Sequence, residues 1–208
     1  MQKIFKSLPL ALGLSCIAIA PAVSETIAQS QNFGVAPPAC QEQSQIALNF
    51  CAVRWAKTAD FLRSLIYEDI NVRLTSAEQI QLKAIEANWN SYREKHCQDL
   101  SKPFRTGSIY PLLYHSCRAR VTNDRIADLL GKSTSQLSPD ETSQRLVKVL
   151  NQDNLKNSAG QVQWLRYQAL QCRFEALQFT GTPQRAKQCR DRLAANRLRE
   201  LESLMKSR

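Results

Sequence analysis

The chain has 208 residues and carries 28 Lys+Arg against 18 Asp+Glu, a formal charge of +10. A chain of this length holds one domain or two small ones, and its positive excess favours anionic partners or surfaces. Nucleic acid is the usual partner of such charge, but the N-terminal sequence reads as an export signal, which argues against it.

Lys3 and Lys6 form a positive start, Leu8 to Ala20 is apolar, and Ala20-Pro21-Ala22 offers a small-x-small cleavage site, so residues 1–22 read as a signal peptide. The apolar run is shorter than the ~20 residues that span a bilayer. Cys16 sits in a poor lipobox because Gly13 stands three residues before it. Residues 23–39 are rich in Ser, Gln, Ala and Pro and read as a flexible segment. A helix is predicted from Ser44 to about Val72, on the spacing of Ile46, Phe50, Val53, Phe61 and Leu65. Thr75-x-x-Glu78 is a capping box that opens a second helix carrying Ile85, Trp89, Tyr92 and His96, which ends before Pro103. A third runs from about Pro111 to Leu130 and stops at Gly131. Ser138-Pro139-Asp140-Glu141 starts a fourth, with Pro at the first helical position. After a polar linker at 151–160, Val162, Leu165, Ala169, Cys172, Ala176 and Phe179 form one apolar stripe, which Gly181 breaks. Thr182-Pro183 opens a last helix reaching about Met205. No stretch alternates like a strand. The expected fold is all-α: antiparallel helical hairpins in a disulfide-stapled bundle, with one domain at 40–131 and a C-terminal extension at 138–208.

Two stretches of the sequence resemble each other. Trp89, Tyr92 and Cys97 recur at identical spacing as Trp164, Tyr167 and Cys172. Cys117, Arg118, Arg120, Val121, Arg125, Asp128 and Leu129 recur as Cys189, Arg190, Arg192, Leu193, Arg197, Glu200 and Leu201. The second copy, at about 161–205, is partial: it reads as lacking the long first helix, and Gln168 stands where the first copy has Arg93. Cleavage after Ala22 leaves Cys40, Cys51, Cys97, Cys117, Cys172 and Cys189, an even set in an exported chain. The repeat favours Cys97–Cys117 and Cys172–Cys189 across two hairpins, which leaves Cys40–Cys51. A rival pairing stays open: Cys51 and Cys97 lie equally far from the turn at Leu74, so Cys51–Cys97 with Cys40–Cys117 is the alternative.

From Cys40 to Leu130 the chain resembles the LprI-like family, a bacterial domain named after a mycobacterial lysozyme inhibitor. The resemblance rests on Cys40, Leu48-Asn49-Phe50-Cys51, Ala59-Asp60-Phe61-Leu62, Trp89-x-x-Tyr92-Arg93-x-x-x-Cys97, Gly107-Ser108, Cys117 and Thr122-x-x-Arg125-Ile126. It implies a helical, envelope-associated or secreted protein that binds rather than catalyses, and it supplies no catalytic residues.

Other chemistries fit the sequence less well. His96 and His115 lie beside Cys97 and Cys117 and suggest zinc, but an exported chain favours the disulfide, and the second copy keeps the cysteines without a histidine. Ser108 follows Gly107 without a G-x-S-x-G elbow. Asp60, Glu68, Asp69 and Glu78 read as helix-surface acids, with Asp60 placed to approach Arg93 across the first hairpin. Trp89, Tyr92, Trp164 and Tyr167 read as core, and Arg125 and Arg197 as structural. Arg185, Lys187, Arg190 and Arg192 on the last helix are the candidates for an anionic partner, because Arg185 and Lys187 have no basic counterparts in the first copy. The expected molecule is a non-catalytic binding module of the periplasm or cell exterior. It uses no cofactor or metal, and its partner is a protein or anionic envelope component. The alternative is a surface-association protein laying basic helices on anionic lipid or polysaccharide.

Overall fold

A computed structural model describes residues 34–132, 137–152, 154–178 and 183–205, without the side chains of Leu204 and Met205. The proposed signal peptide, most of the segment 23–39, and Phe179, Gly181 and Thr182 lie outside the described residues. The described elements are helical: α1 (Gln45–Asn71), α2 (Ser76–Ser101), a 3-10 turn (Lys102–Phe104), α3 (Tyr110–Leu129), α4 (Pro139–Gln152), α5 (Ala159–Gln178) and α6 (Pro183–Met205).

The boundaries follow local chemistry. The Ser44 hydroxyl accepts from the Ala47 amide at 3.3 Å and caps α1. Thr75 and Glu78 form the full capping box at the start of α2. Before α4, the Ser138 amide donates to Glu141 at 3.1 Å while the Ser138 hydroxyl accepts from the Glu141 amide at 3.3 Å. Gly131, at φ +65°, takes the left-handed turn that ends α3. There the Lys132 amide donates to the Ala127 carbonyl at 2.8 Å.

The helices form two three-helix units. In the first, α1 lies along α3; in the second, α4 lies on α6; α2 and α5 pack against each other and join the halves. In the second unit the 14-residue α4 stands in the place of the 27-residue α1, so the long first helix is indeed absent there. Cys97–Cys117 and Cys172–Cys189 tie α2 to α3 and α5 to α6, and Cys40–Cys51 ties the N-terminal segment to α1. The rival Cys51–Cys97 pairing is not adopted, because α1 lies chiefly along α3 rather than folding back as a simple hairpin on α2.

The buried faces of α1 and α5 are not those that aliphatic spacing marks. Helix α1 buries Ala52, Trp55, Ala56 and Ala59 against Ala119 of α3, and leaves Ile46, Phe50, Phe61 and Leu65 exposed. Small residues line most of this contact, with Trp55 among them, while the large aliphatic and phenyl side chains point outward. Helix α5 buries Gln161, Trp164, Tyr167, Gln171, Cys172 and Phe174, while Val162, Leu165 and Ala169 face out. Its glutamines are inside because they bind buried arginines, which offsets the cost of removing polar groups from water.

Candidate functional site

The residues that carry the sequence motif meet where α1, α2 and α3 converge. Asp60 on α1 accepts from Arg93 on α2, and the Thr122 hydroxyl on α3 accepts from the same arginine at 2.9 Å. Arg118 reaches the other Asp60 oxygen at 3.5 Å. Two guanidinium groups lie over the Trp89 ring, Arg93 at 4.6 Å and Arg63 at 5.1 Å from its centre. Arg63 in turn pairs with Glu86 at 2.7 Å. The approach of Arg93 to Asp60 expected from the sequence is therefore made, but Asp60 serves as an anchor between helices rather than as a free acid.

A second pair of polar clusters fills the α2–α5 interface. Arg125, fully buried, donates to Glu86 at 2.7 Å, the Tyr167 hydroxyl at 2.8 Å and Gln171 at 2.9 Å. Arg197, equally buried, donates to the Tyr92 hydroxyl at 2.9 Å, Glu200 at 2.7 Å and Gln161 at 3.3 Å. The Tyr167 hydroxyl donates to Asp128 at 2.8 Å, and the Tyr92 hydroxyl to Glu200 at 2.7 Å. Each arginine thus holds a side chain from its own unit (Glu86 or Gln161) and a tyrosine from the other. The matching positions of the two sequence copies play matching roles, with His96 beside Arg197 where Gln171 stands beside Arg125. The two tyrosine rings lie parallel at 6.3 Å.

Electrostatics follow from this packing. Burial pushes the Glu200 carboxyl up, but Arg197 and then His96 overcome it and hold the group well below the ordinary carboxylate range. Burial, then Arg197, lowers the His96 pKa, so the ring is neutral at neutral pH. Asp128 is raised by burial against the pull of Arg125 and Arg192. The space enclosed by Trp89, Tyr92, Arg125, Tyr167, Arg197 and Glu200 is only about 20 Å³, room for roughly one water. The interior is too small for a substrate, and most of its polar atoms are bound to one another.

The other residues singled out by sequence lie at the surface. Gly107 and Ser108 are exposed, in a loop fastened to α1 by the Asn49 amide, which donates to the Ser108 carbonyl at 2.9 Å. Arg185, Lys187 and Arg190 are exposed on α6, with Lys187 paired to Asp191 at 2.8 Å. Arg192 turns inward and pairs with Glu175 at 2.6 Å, which sets it apart from those three. His96 lies inside against Arg197 and Glu200, while His115 packs edge-on against Tyr114. Among the described residues no cluster of histidine, cysteine and acid side chains has metal-binding geometry. Sequence reasoning missed Arg63, Glu86 and Gln161. The signal was there: Glu86 and Gln161 hold the same place, one turn before the matched tryptophans, where a polar side chain interrupts an apolar face.

Comparison with curated proteins and with solved structures gives no match. The family model described as lysozyme inhibitor LprI matches residues 38–129, which run from just before Cys40 to the last residue of α3. That span contains the α1–α2–α3 unit with its Asp60–Arg93–Thr122 anchor, and residues 38–129 are thus an LprI-family domain.

Proposed function

We propose that this protein is an exported, non-catalytic binding module of the cell envelope, and that its partner is a protein with an acidic surface, a muramidase being the first to test. The family match over residues 38–129 carries the reading. Two features of the molecule support it. The polar side chains of the interior are spent on holding helices together, around a cavity of only about 20 Å³. The disulfides suit an oxidising compartment, and no described helix is long and apolar enough to cross a membrane.

The exposed cations Arg185, Lys187 and Arg190 at the start of α6 supply the contact to an acidic partner in this reading. The oxidised protein is expected to inhibit a muramidase stoichiometrically in a cell-wall clearing assay. Inhibition should weaken with salt, and the Arg185→Glu, Lys187→Glu variant should lose it with an unchanged melting temperature. Salt-sensitive binding to anionic vesicles with no inhibition of any muramidase would instead favour surface association. Export is tested separately: protein recovered from the envelope should begin at or near Val23, and a cytosolic pool retaining Met1 would contradict it.

A further inference from the structure

The outer face of α1 is used neither by the fold nor by the basic end of α6. Ile46, Phe50, Phe61, Leu65 and Val72 are 69%, 71%, 64%, 52% and 71% exposed. These are high values for large apolar side chains ranged along one helix, and contiguous patches of this kind mark interaction sites. Phe50, Phe61 and Val72 recur at the ~11-residue period at which a straight helix nearly repeats its face. The same period relates Arg54 to Leu65 and Lys57 to Glu68, so the stripe runs straight down the helix. An open hollow of about 1000 Å³ flanks its N-terminal end, between the segment held by Cys40–Cys51 and the side chains of Ile46, Phe50 and Arg54.

The charges on this face are arranged in a particular order. Arg54 and Lys57 lie in its N-terminal half and Glu68 in its C-terminal half. All three are exposed, and none has an ion-pair partner among the described residues. Asp69, by contrast, is already paired with Arg73. A helix that is basic at one end and acidic at the other complements itself when turned end for end.

We propose that α1 is a homodimerisation surface, on which two copies of this chain pack antiparallel about a two-fold axis at Phe61. With Phe61 set against its own copy, Arg54 faces Glu68 of the second copy, and Lys57 lies over Leu65 with its ammonium within reach of the same Glu68. Phe50 meets Val72 of the second copy, and the hollow beside Phe50 receives the end of that helix. Every large residue of the stripe from Phe50 to Val72 is covered, and each uncommitted charge gains an opposite partner. A two-fold contact needs this self-complementarity. The paired segments span ~33 Å at 1.5 Å per residue. They bury on the order of 1,000 Å² in total, at the small end of specific interfaces, so dissociation in the micromolar range is expected. The inference is independent of the muramidase reading and is measured without any muramidase present.

Sedimentation equilibrium of the full oxidised protein from about 1 to 100 µM, a range bracketing that affinity, decides it. The wild type should show a concentration-dependent monomer–dimer equilibrium. Phe61→Glu should leave only monomer, with unchanged far-UV circular dichroism because the position is exposed. Arg54→Glu and Glu68→Arg should each weaken the dimer by at least about 10-fold, and the double variant should restore it. That rescue is specific to antiparallel self-pairing. A wild type that stays monomeric to 100 µM overturns the proposal, as does a dimer indifferent to Phe61→Glu or singles that the double variant does not rescue. If Phe61→Glu abolishes binding to anionic vesicles or to a muramidase while the wild type is monomeric, the face belongs to that partner and the dimer is excluded.

Discussion

Arg125 shows how a single charged residue becomes structural. Its guanidinium is buried beside Glu86 and within the Tyr167–Asp128 pair, so Arg125→Ala would strand acids in the interior. Breaking a buried pair in this way costs about 3–5 kcal/mol. Arg197→Ala should be comparable, since it strands Glu200 and takes a donor from Tyr92 and Gln161. Thermal unfolding of both variants, compared with Arg185→Glu on the exposed start of α6, should show large losses for the first two and almost none for the third. His96 adds a pH signature. Its pKa is lowered from 6.5 in the fold, so the unfolded chain takes up the proton first, and the His96 contribution to stability is lost as pH drops below about 6.5, while Asp124, raised to about 7 by burial, acts in the opposite sense. His115 is lowered too, by burial and then Arg118, and contributes to the same step. The Glu200 carboxyl is depressed from 4.5, and its contribution, present above that value, is lost as pH falls further. His96→Gln copies Gln171 of the second unit, and it should shrink the loss between pH 7 and 5.5 while leaving the more acidic limb. Melting curves across that range test this directly, and an unaltered profile would show that His96 does not titrate in this way.

Helix contacts depend on small details of the interface. Gly160, at the start of α5, lies so close to α2 that an added Cβ would stand 2.7 Å from the His96 Cα. The clash is with backbone, so no rotamer change relieves it, and Gly160→Ala should push α5 away from α2 and lower the melting temperature despite alanine's better helix propensity. The disulfides should differ in weight. Cys97 with Cys117 and Cys172 with Cys189 are buried in the core, whereas Cys40 and Cys51 sit at the surface. Replacing either buried pair by alanine should cost about 2–4 kcal/mol. Replacing the Cys40–Cys51 pair should cost less, because it closes a shorter loop at the edge of the molecule. Denaturant titration of the three double variants gives the order.

The two units are joined face to face across α2 and α5, with each buried arginine holding the other unit's tyrosine. A chain cut after Lys132 would expose Leu82, Ile85, Trp89 and Tyr92, which α5 and its neighbours otherwise help to cover. Arg125 would lose Tyr167 and Gln171. Because α2 carries Tyr92 and His96 at the matching places, a second copy of α2 can supply equivalent groups. The shortened chain is therefore expected to be folded only as a dimer through α2, and sedimentation that finds a stable folded monomer would refute this. That contact is distinct from the α1 face, so Phe61→Glu should not dissolve it.

Much of this molecule is written locally. The helix starts at Ser44, Thr75 and Ser138 and the stop at Gly131 were legible because caps and turns depend on a few adjacent residues. The family motif was legible too, and the repeat pointed to the pairing of Cys97 with Cys117 and of Cys172 with Cys189, because both are patterns of spacing. Which helix face is buried was not legible for α1 and α5. Aliphatic spacing marks an apolar stripe, but burial depends on the neighbour. Alanines won the α1–α3 contact because they allow close approach, and Gln161 and Gln171 went inside because arginines on α3 and α6 needed acceptors. The exchange of tyrosines between the two units exists only once the units face each other, and no local pattern encodes that arrangement.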